Sequence, residues 1–337
     1  MAEMVFDGLA GLAELPYFAR SDEGRLISRD RTYGPIIDMH SHLALAYVLP
    51  MRLDLQRAFE ETEHYLPACC RLDLDVYVNR NFTPRALSDM KRDLTLGSLT
   101  RRGMRRTHTV PNIVREMNEL GIARSIILPI DFPVLSDNAG DALRAARTTE
   151  KLIAFGSVHP YARGVAKRLD DQLARGARGV KVHPAVQCIR PDDARAMKLY
   201  RLCAERELPI LWHCGPVDIE TRYGRYCSQV KWYERPIAEN PRTTFVLGHS
   251  GALQMEQALA LHRRYPNVWL ETSSQSLTNV RTIVTQADAS RVVYGSDWPF
   301  YHQAIALAKV LLATEGREDA RRAILWRNAS RLLGLRD

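Results

Sequence analysis

The chain has 337 residues, of which 46% are hydrophobic and 26% charged, with a formal net charge of +8. That composition excludes a disordered or fibrous protein and leaves a globular one, long enough to bury its own core without disulfides. No apolar run approaches the ~18–20 residues that span a bilayer. The acidic opening MAEMVFDGLAGLAELPYF lacks the basic start of a secretory signal, so a cytoplasmic location with no membrane partner is expected.

Residues 1–34 mix Gly, Ala and charge without a period and read as an N-terminal extension on a domain spanning 35–337. The run GPIIDMHSHLAL then reads as the first strand, ending in His40-x-His42. Residues 43–110 lack the rhythm of the remainder and read as an insertion with helices. Within it, residues 85–106 carry seven Lys or Arg against two Asp. Such a cluster is a solvated helical face, a phosphate-contacting patch or a lid that attracts anionic substrates. It has no interleaved aromatics and no docking motif, so a nucleic-acid partner is not expected.

From residue 112 the chain alternates. NIVREMNELG spaces Ile113, Met117 and Leu120 as a helix and stops at Gly121, a residue suited to the C′ position. Short apolar runs follow at 123–130, 152–160, 179–184, 208–215, 243–251, 267–274 and 291–299, with helix-forming sequence after each. Strands alternating with helices imply parallel βαβ units, and eight of them close most simply into a (β/α)8 TIM barrel. The rival, a doubly wound open sheet, lacks a GxGxxG turn after its first strand.

Polar residues recur at strand ends, which is where barrel enzymes place their chemistry. Asp38, His40 and His42 close the first strand, His159 the third, and Lys181 and His183 the fourth. His213 closes the fifth, His249 the sixth and Asp297 the eighth. Six of the ten histidines fall on these ends. Strand alternation points His40 and His42 one way, and likewise Lys181 and His183. His40, His42, His213 and Asp297 together suit a divalent ion, zinc first and manganese as the alternative, with a position left for water. Asp38 is expected to orient a ligand histidine, and Trp298 to pack at the pocket wall. His64, His108, His262 and His302 are expected on the surface or in loops. The six cysteines form no CxxC pair and read as thiols of a reducing compartment.

The pieces IIDMHSH, GVKVHP, LWHCG, VLGHSG, VWLETSS, YGSDWPF and NASRLLGL make the chain resemble the amidohydrolase superfamily, in the branch of the aminocarboxymuconate-semialdehyde decarboxylase-like proteins. The resemblance covers about residues 35–335. It implies that His40, His42, His213 and Asp297 hold the metal, and that His249 handles protons or binds a second metal. It also implies either that Lys181 is carbamylated and bridges two metals or that it orients a substrate carboxylate, with His183 beside it. The expected reaction is hydrolysis of an amide, ester or lactone of a small, acidic substrate through metal-activated water, with Asp297 and His249 catalytic. The alternative is non-oxidative decarboxylation or other C–C cleavage of an aromatic or unsaturated acid. The extension and the insertion offer surfaces for a homodimer.

Overall fold

The computed structural model describes residues 4–29, 31–45, 53–132 and 136–335. Part of the stretch read as an insertion, residues 46–52, lies outside the described residues. Eight parallel strands are found among them: β1 (Ile36–Ser41), β2 (Ile122–Ile127), β3 (Leu152–Ala154), β4 (Val180–Val182), β5 (Ile210–His213), β6 (Phe245–Gly248), β7 (Val268–Glu271) and β8 (Val292–Val293). They form one run of three, β1-β2-β3, and one of five, β4-β5-β6-β7-β8, in sequential order.

Two parallel bridges join the runs. Gly156 pairs with Val180 between β3 and β4, and Ser41 pairs with Trp298 between β1 and the end of β8. The second seam is reinforced by Met39 N–H to Tyr294 O at 2.9 Å and His42 N–H to Trp298 O at 2.7 Å. The sheet is therefore closed, and the expected TIM barrel is present.

Alternate strand residues divide between two apolar clusters. Leu211, Val246, Trp269 and Val293 join Ile37, Met39 and Phe155 in one, packed with Ala329 and Leu333 of the last helix. Their neighbours Ile210, Phe245, Val268 and Val292 face the larger cluster that the surrounding helices cover. In β1 the register against β2 shifts between Asp38 and Ser41, so strict alternation fails where the site begins.

The helix Val110–Leu120 ends at Gly121, whose left-handed backbone (φ 75°) makes the expected C-cap. The N-terminal residues form a short antiparallel pair, Phe18–Arg20 with Leu26–Ser28, and Val5–Phe6 pairs with Leu72–Asp73. Residues 84–95 form a helix capped by Thr83, whose hydroxyl accepts from Ala86 N–H, with Pro84 in the first turn. This helix comes to the mouth of the barrel and carries three of the seven basic residues, Arg85, Lys91 and Arg92. Arg105 leaves that cluster for the interior, where it donates to the Ala44 and Leu45 carbonyls.

Candidate functional site

A cavity of about 720 Å³ opens at the C-terminal ends of the strands. His40, His42, Lys181, His183, His213, His249 and Asp297 all line it. His159 does not. It accepts from Tyr161 N–H at Nδ1 and bonds Gln187 O through Nε2, beside a separate pocket of about 170 Å³.

The imidazoles of His40 and His42 converge on Asp297. His42 Nε2 lies 3.3 Å and His40 Nε2 3.6 Å from Asp297 Oδ1. Those separations exceed an ordinary hydrogen bond and match the edge of a tetrahedron around a zinc ion with bonds of about 2.0–2.1 Å, roughly 3.3 Å. The ligand-type atoms of these three residues lie within 4.8 Å of one another. His213 joins neither this triad nor the second compact group, His40, His249 and Glu271. It instead stands beside His249, with Nδ1 3.0 Å from His249 Nε2, and stacks on His183 at 4.0 Å. Its Nε2 is buried with no hydrogen-bond partner among the described residues. A buried lone pair left so costs about 1–3 kcal/mol unless a cation takes it up. Imidazole nitrogens, a carboxylate and an orphaned nitrogen in one cavity fit a divalent ion.

His183 also caps the short helix Pro184–Gln187, accepting from Val186 N–H at Nδ1. Lys181 Nζ is buried, 3.2 Å from His40 Nε2. Burial pushes its ammonium down to about 8, against the pull of Asp297 and Glu271. Burial, and then Lys181, also holds the His40 imidazole well below its usual range. The backbone at His249 (φ 54°) and Asp297 (φ 66°) is left-handed, a conformation non-glycine residues hold at a cost and which clusters at functional sites.

Three expectations need correction. Asp38 does not touch a ligand imidazole. Its carboxylate accepts from the backbone N–H of His40 and Ser296, both nearby serine hydroxyls and Gln303 Nε2, fixing the chain between β1 and β8. Trp298 is wholly buried behind the cavity, edge-on to His64 and His108. Of the histidines expected on the surface or in loops, His64, His108 and His302 do lie outside helices and strands, but none is a surface residue: His108, His262 and His302 are buried, and His64 packs on His302 and bonds Glu116. Each has a carbonyl or carboxylate within reach, which makes burial tolerable.

Two residues of the site were missed. Glu271, at the end of β7, is fully buried, and its Oε2 lies 2.7 Å from His40 Nδ1. Ser273 Oγ sits 2.8 Å from both Glu271 Oε2 and His249 Nδ1. Burial pushes the Glu271 carboxyl up to about 7, although the His249 and Ser273 amides and the Ser273 hydroxyl pull it down. The signal was an acid closing the run Val-Trp-Leu-Glu, in a strand that should be apolar throughout.

A profile of the amidohydrolase family, Amidohydro_2, matches residues 37–335. The chain belongs to the amidohydrolase family. No curated protein matches it. Among solved structures, an uncharacterized TIM-barrel protein from Bordetella bronchiseptica is similar with a TM-score of 0.63 and 17% identity, over 90% of this chain and 99% of that one. A probable 2-pyrone-4,6-dicarboxylic acid hydrolase from Acinetobacter baumannii gives 0.55 and 14%, over 89% and 100%. The 2,6-dihydroxybenzoate decarboxylase from Rhizobium gives 0.54 and 18%, over 66% and 87%. At these identities the likeness concerns the fold. The amidohydrolase assignment and the His/Asp cluster agree on a metal-dependent enzyme. Among the described residues, no helix is long and apolar enough to cross a membrane.

Proposed function

We propose that this amidohydrolase hydrolyses an amide, ester or lactone bond in a small carboxylated substrate. The convergence of His40, His42 and Asp297 on the floor of a substrate-sized cavity carries this reading. His40, His42, His213 and Asp297 are the residues that would hold a single divalent ion, zinc or manganese. Such an ion, when bound, brings the pKa of a water molecule to about 7 and polarises a carbonyl. Asp297 accepts the proton of the attacking water, its carboxylate steadied by the Ser274 hydroxyl at 3.3 Å. The proton taken up by Asp297 goes on to the leaving atom, while His249, lining the cavity beside them, stabilises the charge that develops there. Lys181 holds the substrate carboxylate, with Lys91 and Arg92 at the mouth adding positive potential.

Decarboxylation of an aromatic acid is the second reading. Tyr77, Phe132, Phe300 and Tyr301 line the cavity, which favours a flat aromatic substrate.

One panel separates the two: carboxylated lactones and esters beside aromatic carboxylic acids, read for acid release and for carbon dioxide. The proposal expects acid release that Asp297→Asn abolishes. Carbon dioxide without acid release would replace it with the second reading.

A further inference from the structure

We infer that Glu271 and Ser273 are positioning residues that set the tautomers of His40, His249 and His213, so that His40 and His213 both turn an Nε2 lone pair to the cavity. The inference rests on the single-ion reading above for its purpose, and on hydrogen bonds alone for its content.

The direction of the chain is fixed by backbone donors. Glu271 Oε2 receives the N–H of His249 at 3.1 Å, and Oε1 receives the N–H of Ser273. A backbone N–H only donates, so each carboxyl oxygen accepts at least one hydrogen bond, and Glu271 as a carboxylate has no proton of its own to give. The His40 ring nitrogen 2.7 Å from Oε2 must then carry the proton, which places it on Nδ1 and leaves Nε2 bare. The Ser273 hydroxyl, 2.8 Å from the same oxygen, must also donate. Its single proton is thereby spent, and Ser273 Oγ meets His249 Nδ1, 2.8 Å away, as an acceptor. His249 therefore carries its proton on Nδ1, and its Nε2 is a lone pair. The contact of 3.0 Å from that Nε2 to His213 Nδ1 then needs the proton on His213. What remains is His213 Nε2, the buried nitrogen that no described residue satisfies. Three elements, β7, β6 and β5, thus pass one choice of proton position from a carboxylate to a lone pair.

His42 is set separately. Its Nδ1 donates to Leu128 O at 2.6 Å, which leaves its Nε2 facing Asp297. It is the internal control, since nothing in the Glu271–Ser273 chain touches it.

The test is long-range proton–nitrogen correlation NMR on metal-free protein labelled with ¹⁵N-histidine, which reads each tautomer directly. The expected result is the Nδ1–H form at His40, His42, His213 and His249. In Ser273→Ala the link to His249 is cut. His249 and His213 should move toward the Nε2–H form, while His40 and His42 stay as they were. Ser273→Thr keeps the hydroxyl and should restore the original pattern. Zinc affinity, measured by chelator competition, should fall about 10-fold or more in Ser273→Ala and recover in Ser273→Thr. An Nε2–H form at His213 in the unaltered protein overturns the inference, as does a Ser273→Ala variant whose His249 and His213 tautomers do not change. The expected tautomers in a protein that takes up no metal would support the chain and count only against the single-ion reading. Tight metal binding with the opposite tautomers would do the reverse.

Discussion

Glu271 Oε2 and His40 Nδ1 stand 2.7 Å apart inside the barrel, the closest contact any carboxylate makes with a cavity histidine. The approach depends on Gly295, two residues beyond the end of β8. A Cβ there would lie 2.2 Å from Glu271 Oε1 and 2.8 Å from His40 Cβ. The Glu271 oxygen ends a side chain but is buried and held by the Ser273 N–H, and His40 Cβ is fixed to the backbone. Gly295→Ala is expected to lower stability by roughly 1–3 kcal/mol, as overpacking does, and to reduce metal content. Denaturant unfolding with elemental analysis checks both. A variant with unchanged stability and metal would show that the pair tolerates separation.

Asp38 anchors the opposite side of the same strand. Its carboxylate gathers two backbone amides and three side-chain donors from β1, the β8 end and the next helix. Asp38→Ala strands those donors in a dry interior and is expected to cost about 3–5 kcal/mol. Asp38→Asn keeps part of the network and should cost less. Equal, small losses for both would contradict this role.

Lys181 separates binding from metal capture. Its Nζ lies in the cavity, 3.2 Å from His40 Nε2 but outside the triad of His40, His42 and Asp297. Lys181→Met should leave metal content unchanged and raise KM for a carboxylated substrate about 10-fold or more, in line with a lost charged hydrogen bond of about 1.5–3 kcal/mol. Loss of the metal in this variant would instead point to Lys181 as a ligand bridge.

Lys309 gives a pH dependence away from the cavity. It is buried in the helix Gln303–Ala313, with Nζ donating to Gln275 O at 2.7 Å. Burial pushes its ammonium down to about 7, against the pull of Asp73 and Asp75. Between about pH 7 and the ordinary lysine value near 10.4, the unfolded chain holds this proton and the folded one releases it. Stability from this group therefore rises with pH across that window and is least below pH 7. Lys309→Met removes the dependence. Urea unfolding at pH 7 and pH 9.5 should show a smaller rise for the variant than for the parent. The same rise in both would place the effect elsewhere.

How much of this was legible in the sequence follows from what each residue type demands of its surroundings. The strands could be read because a parallel barrel strand is buried on both faces and so appears as an unbroken apolar run, as in ILWH or FVLG. His40, His42, His213, His249 and Asp297 could be found because they close such runs. Glu271 closes one too, but its partners come from β1 and β6 and leave no trace in the local pattern. The interior histidines failed for the same reason. His108 and His302 sit in irregular sequence, where burial rests on contacts with Glu63 and Glu116 rather than on any period. Asp38 was placed on the right strand with the wrong partner, because the donors to its carboxylate, Ser296 and Gln303, come from more than 250 residues away and leave no trace in the local pattern. The basic cluster divided on burial: Arg105 went inside to cap carbonyls, while Lys91 and Arg92 stayed at the mouth.

Metal content per chain, measured by inductively coupled plasma mass spectrometry on protein purified without chelator, tests the central claim most directly. The account predicts about one equivalent of zinc or manganese, reduced to background in a His40→Ala, Asp297→Ala double variant that remains folded by circular dichroism. Protein that carries no metal and takes none up on reconstitution would contradict it.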